Sequence, residues 1–443
     1  MPFISNTDAE RRRMLAEIGM KAEELFADIP AAVRDPAMDV PAGLSEQEVR
    51  GRIGELAARN ASNLLSFLGG GYYDHFSPAA VDAVLSRSEF YTAYTPYQPE
   101  ISQGTLQAIY EYQSAVCRLT EMEAANASMY DGGTALYEAG MMAARITGRH
   151  RLLVDDSVSP IYRAMLRTHL EHHEVELVET ASREGLPDRK RIAEALTDET
   201  AAVMLQNPNF FGRLDDFSGL ARTAHERGAT LVVSCYPVSL GLAKTPGAMG
   251  ADIACGEGQS LGLPLSFGGP YLGFMATRMA HMRKMPGRLV GRTVDAEGRQ
   301  GFVLTIQARE QHIRREKAVS NICSNESLCA LGALVYLSLL GKEGLREVAR
   351  LCADKAAYAR ERLGRIRGVQ EGFPGQPVFN EFVIRLPADA EKVAGALLKK
   401  GIAAGIPLGR WYPDLKNALL VAVTEKRTRE EIDRLATAME DVL

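Results

Sequence analysis

Residues 131–154 read DGGTALYEAGMMAARITGRHRLLV. A glycine turn opens the stretch, Leu136, Ala139, Met142, Ala143 and Ile146 follow at the spacing of one helix face, and Leu152-Leu153-Val154 closes it as a short apolar strand. The same alternation continues downstream. A helix from Pro160 leads to a strand at Val175–Val178, a helix at Ile192–Leu196 to a strand at Ala201–Gln206, and a helix at Leu220–Arg227 to Thr230-Leu231-Val232-Val233. Asp252–Cys255 and Tyr271–Met275 add two more strands. Strands alternating with helices at these lengths predict an α/β fold, with a mainly parallel sheet covered by helices on both faces.

Working outward from this block, a helix through Leu106, Ile109, Tyr110, Val116 and Leu119 precedes it. After Cys323 the pattern changes to long helices (328–340 and 345–363), a strand at Glu381–Leu386, a helix at Val393–Lys400, a strand at Leu419–Val423 and a closing helix from Thr428. That is a smaller α+β domain. At the other end, Thr7 with Glu10 and Ser45 with Glu48 have the spacing of capping boxes ahead of apolar helical residues, separated by a proline-containing linker over 30–41. The expected organisation is a helical extension and interface segment over 1–104, a large domain over 105–322 and a small domain over 323–443.

Residues 69–74 (GGGYYD) and 90–100 (FYTAYTPYQPE) fit neither period. Pro96 and Pro99 block helix continuation and sheet pairing, so an ordered irregular segment is expected. Tyrosine suits an interface, because its apolar ring carries a polar tip.

The 443 residues are 46% apolar and 24% charged, with a formal net charge of -5. This is the composition of a soluble globular chain. Lys and Arg are dispersed, which argues against a nucleic-acid partner. With no uninterrupted apolar run of about 18 residues and no basic-then-apolar leader, a cytoplasmic protein without a membrane partner is expected. The six cysteines show no CxxC spacing, so reduced thiols are expected, with neither a zinc site nor a disulfide framework.

Among candidate site residues, Asp131-Gly132-Gly133-Thr134 stands before a helix, where main-chain N–H groups and the helix dipole favour an anion. A plain turn with an N-cap remains open for it. Ser266-Phe267-Gly268-Gly269-Pro270 between two strands, and Asn207-Pro208-Asn209 at a carboxyl strand end, are weaker candidates. His172 and His173 are adjacent and point apart, which argues for a surface turn over a metal site. His281 and His312 lie among Arg and Lys, where anion contact or solvation is expected. No metal site is expected anywhere in the chain.

The order of segments resembles the pyridoxal-phosphate (PLP) dependent transferases of fold type I. The run Gly71-Tyr72-Tyr73-Asp74 followed by residues 90–104 (FYTAYTPYQPEISQG) closely resembles the P-protein, or glycine decarboxylase, family, and in particular the alpha chains of its two-chain forms. The resemblance implies glycine dehydrogenase (aminomethyl-transferring) activity within a complex, in which glycine is decarboxylated and its aminomethyl group passes to the lipoyl arm of the H-protein. It also gives the Schiff-base lysine a place after the fifth or sixth strand. Here Gln259 stands at that place, and no lysine occurs between Lys244 and Lys284.

An aspartate facing the pyridine nitrogen is expected near the end of strand 231–233, where this chain has Ser234-Cys235-Tyr236. The resemblance therefore implies a degenerate cofactor site at Asp131, Gly132, Gly133, Thr134 and Gln259, no covalent cofactor on this chain, and PLP held by a homologous beta subunit (subunit 2) in a heterodimer or heterotetramer. Tyr94, Tyr97 and Glu100 are expected to approach the beta-chain site. The alternatives are that these tyrosines only pack the contact, and that the chain is a regulatory or scaffold homologue without activity.

Overall fold

The computed structural model describes residues 6–34, 36–37, 39–375 and 377–443. They divide into two compact units, one ending at Ser62 and one spanning Asn63–Leu443. The first holds α1 (Asp8–Ile18) and α2 (Glu46–Ala57). Both expected capping boxes form: Thr7 and Ser45 accept the N–H of Glu10 and Glu48, whose carboxylates accept the cap N–H in return. Neither helix buries a residue within this unit.

In the second unit β1 (Leu65–Ser66), α3 (Ala79–Leu85) and α4 (Ser88–Tyr91) precede α5 (Gln103–Thr120) and β2 (Ala124–Ala125). Then α6 (Gly132–Thr147), β3 (Arg151–Asp155), α7 (Pro160–Leu170), β4 (Glu176–Thr180), α8 (Arg189–Ala195), β5 (Thr200–Asn207), α9 (Ser218–Glu226) and β6 (Thr230–Cys235) alternate as expected. After α10 (Pro246–Met249) come β7 (Ile253–Glu257), β8 (Gly273–Thr277) and the hairpin β9 (Leu289–Val294) with β10 (Gln300–Thr305). A single turn, α11 (Gln311–Arg314), and the long α12 (Ser327–Gly364) lead to β11 (Gln370–Glu371), β12 (Glu381–Arg385), α13 (Ala390–Lys399), β13 (Ile402–Ala403), β14 (Ile406–Pro407), β15 (Ala418–Ala422) and α14 (Arg429–Glu440).

The main sheet has the order β2-β8-β7-β6-β5-β3-β4, parallel from β7 through β4, with β8 antiparallel to both its neighbours. Alternate side chains enter two separate cores. Leu153, Val203, Leu205, Leu231 and Val233 face α5, α9 and α12, while Leu152, Val154, Met204, Val232 and Ile253 face α6 and α7. All of these strand residues are at most 1% exposed, and a fully buried aliphatic side chain of this size contributes about 1.5–3 kcal/mol. The near-continuous apolar strands follow from this two-sided burial.

A four-stranded antiparallel sheet, β11-β12-β15-β14, forms the second layer of strands, and β1 pairs in parallel with β13. By length and composition α12 could cross a bilayer. It is broken at Gly341 (φ 57°, ψ -167°), and its first half packs Cys329, Ala330, Ala333 and Tyr336 into the core beside the main sheet. The same break explains why two helices are read in the sequence.

Candidate functional site

The carboxyl end of β7 meets the N-terminus of α6, on the side of the sheet where open α/β folds place ligands. Asp131 caps α6, accepting the Thr134 N–H at 2.8 Å and the Thr134 hydroxyl at 2.7 Å. The last residue of β7, Glu257, is 5% exposed. Its Oε2 accepts the Gly132 N–H at 2.9 Å, and its Oε1 accepts those of Gln259 (2.9 Å) and Leu272 (3.1 Å). Burial pushes the Glu257 carboxyl up to about 8 against the pull of these three donors. Gly132 has to be glycine: a Cβ there would lie 2.4 Å from the Tyr162 hydroxyl and 2.9 Å from Glu257 Cβ. Tyr72, stacked on Tyr271 at 4.4 Å between centroids, is raised beyond the ordinary phenol range by burial and by Glu257 and Asp131.

Gln259 is 1% exposed, and its amide makes three hydrogen bonds. Oε1 accepts the Tyr73 N–H at 3.0 Å, while Nε2 donates to the carbonyls of Tyr73 (3.1 Å) and Leu263 (2.8 Å). The Tyr73 hydroxyl donates to Glu381 Oε2 at 2.7 Å, and Glu381 Oε1 accepts the Gly70 N–H at 2.6 Å. Burial pushes Glu381 up to about 7. Ser234, Cys235 and Tyr236, at and just beyond the end of β6, are all buried. Tyr236 packs on Tyr73 at 4.6 Å, and its hydroxyl meets His75 Nε2; His75 Nδ1 meets Glu425 Oε2 at 2.6 Å.

The tyrosine and proline segment is irregular beyond α4. Tyr94 is 84% exposed and Ile101 80%, and Glu100 is exposed beside them. Gln103 ties its end to the β10 strand, donating to Phe302 O and accepting Phe302 N–H, both at 2.9 Å. The buried Arg288 donates to the Tyr97 hydroxyl at 3.2 Å, its guanidinium lies 5.6 Å from that ring, and His312 meets the same ring edge-on at 5.9 Å.

The weaker candidates serve the chain's own turns. Asn207 exchanges hydrogen bonds with the Asp215 main chain, and Asn209 accepts the N–H groups of Phe211 and Arg213. Phe267 of the 266–270 loop is 93% exposed, and His172 and His173 lie in an exposed turn. Reasoning from sequence missed Glu257, Glu381, Arg288 and the His75–Glu425 pair. The one signal available was a carboxylate at the end of an apolar strand, the last residue of β7 at Glu257 and the first of β12 at Glu381.

This fold and this crevice define a chain of the PLP-dependent fold type I class. A solved sphingosine-1-phosphate lyase of Burkholderia pseudomallei shares the fold, with a TM-score of 0.66 at 15% identity over 93% of each chain. The family model "Glycine cleavage system P-protein" matches residues 1–439, and the chain belongs to that family. It is 58% identical to the probable glycine dehydrogenase (decarboxylating) subunit 1 of Geotalea uraniireducens and 55% identical to that of Citrifermentans bemidjiense, each over 100% of both chains. The crystal structure of a glycine decarboxylase (P-protein) in inhibitor-bound form superimposes with a TM-score of 0.92 at 46% identity, covering 100% of both chains.

PLP, the cofactor this fold implies, does not fit the residues present. Gln259 has no amine to condense with an aldehyde, and no carboxylate stands at the end of β6. In the 131–134 turn the Gly132 N–H is already taken by Glu257 and the Thr134 N–H by Asp131.

Proposed function

We propose that this chain is the alpha subunit (subunit 1) of a two-chain glycine decarboxylase, and that PLP resides on a homologous beta chain, subunit 2. In that assembly the partner's PLP supplies the electron sink for decarboxylating glycine, and the aminomethyl group goes to the lipoyl arm of the H-protein. The observation that supports this division of labour is Gln259, held by three hydrogen bonds where the family resemblance expects the Schiff-base lysine. The names of full-length relatives speak for the same activity and for a second subunit.

Tyr94, Tyr97 and Glu100 belong, in this reading, to the face turned toward the partner's site. Exposed, they have the tyrosine-rich character of an interface. The cytoplasm, where the lipoylated carrier would be met, is the location that goes with it. A scaffold homologue without activity is not favoured, because the relatives at 58% and 55% identity carry the name of an enzyme subunit.

Borohydride trapping with PLP on the purified chain, followed by mass analysis, tests the assignment. No labelled lysine is expected, while co-expression with subunit 2 restores glycine-dependent CO2 exchange. A stoichiometric label on one lysine of this chain would overturn the reading.

A further inference from the structure

Glu257 is held in an unusual way for a buried acid. Its partners are three neutral main-chain N–H groups from separate places: Gly132 at the start of α6, Gln259 after β7 and Leu272 before β8. Only the first belongs to a helix N-terminus. Convergent N–H donors from several segments are the structure of an oxyanion site. Here the place of the oxyanion is taken by a covalently attached carboxyl group, 5% exposed. The walls fit it closely, with the Tyr162 hydroxyl and Glu257 Cβ occupying the space over Gly132 and Met165 the space over Gly133.

We propose that Glu257 is the built-in occupant of an anion site. Its carboxyl group fills a three-donor oxyanion cradle, excludes external anions from it, and leaves a cradle that takes a free phosphate or a small carboxylate once the side chain is removed. The role goes beyond the assembled activity, because it concerns what this chain's own crevice binds. It also ties β7, the β7–β8 connection and α6 together, so the carboxylate closes the crevice while it joins the elements around it.

The test is the melting temperature of the full chain, co-purified with its partner where it has one, in phosphate, acetate and chloride at matched ionic strength. Glu257→Ala is expected to melt below the wild type in chloride, because three N–H groups lose their acceptor. In phosphate or acetate it should regain a few degrees, saturably, as a ligand binding only the folded state does. The wild type should show no such response. A response larger in phosphate than in acetate assigns the cradle to a dianion, and the reverse assigns it to a carboxylate.

A Glu257→Ala chain that responds to neither anion more than the wild type overturns the proposal. If this variant folds only poorly, refolding yield in each buffer gives the same comparison, and absence of recovery in both counts against it. Glu257→Gln fills the same volume without a charge, so it should keep the cradle closed and show no anion response. A response there equal to that of the alanine variant would mean that the anion acts elsewhere, and it also overturns the proposal. Glycine exchange is not read in this experiment, so its failure is distinct from a failure of the proposed function.

Discussion

The Gln259 side-chain amide pairs with the Tyr73 main chain at both ends, accepting its N–H at 3.0 Å and donating to its carbonyl at 3.1 Å. Gln259 thus holds the base of the tyrosine-rich segment, and its bond from the Tyr73 N–H needs an acceptor that an ammonium group lacks.

Gln259→Lys does not rebuild a cofactor site. The Tyr73 N–H loses its acceptor and an ammonium is buried, so the chain is destabilised by about 3 kcal/mol. Urea denaturation measures the loss, and a borohydride-fixed PLP adduct on the variant would show that the crevice accepts the cofactor after all.

Glu381 makes stability depend on pH in a defined window. The unfolded chain releases this proton near 4.5, while burial holds it in the folded chain up to about 7. The folded state binds the extra proton between these values, so the contribution of Glu381 falls as pH rises from about 4.5 to 7 and is level above. Glu381→Gln removes a slope amounting to about 3 kcal/mol at most. Its amide can still accept from Gly70, and the Tyr73 hydroxyl can turn to accept from it. Parallel stability curves for variant and wild type across this window would refute the assignment.

His75 joins Tyr236 to Glu425 in the buried layer. His75→Ala leaves a buried hydroxyl and a carboxylate short of partners and opens a cavity, at a cost of about 2–4 kcal/mol. Chemical denaturation checks this, and a loss below about 0.5 kcal/mol would mean that water replaces the imidazole without penalty.

Tyr94→Ala leaves the melting temperature of the chain unchanged, because the side chain is 84% exposed. In the complex with subunit 2, Tyr97→Phe and Glu100→Ala lower glycine-dependent CO2 exchange about tenfold or more, the scale of a lost positioning contact. Unchanged exchange in both would leave these residues a packing role only.

Much of the fold was legible because its signals are local. Capping boxes at Thr7 and Ser45, the apolar strands from Leu152 to Ile253 and the change of pattern after Cys323 each depend on neighbours a few residues apart. The lack of any lysine between Lys244 and Lys284 was equally plain, since an amine is either encoded or not. The β9–β10 hairpin escaped notice because Arg292, Asp295, Glu297 and Arg299 give its turn and outer face the composition of a loop.

What only the tertiary structure decided is the state of the crevice. Glu257 meets Gly132 from 125 positions away, Tyr73 meets Glu381 across 308, and Arg288 meets Tyr97 across 191. No periodicity brings such pairs together. The order of the sheet and the docking of α6 against β7 do so, and burial then makes both Glu257 and Glu381 hold their protons to higher pH than an exposed carboxyl does.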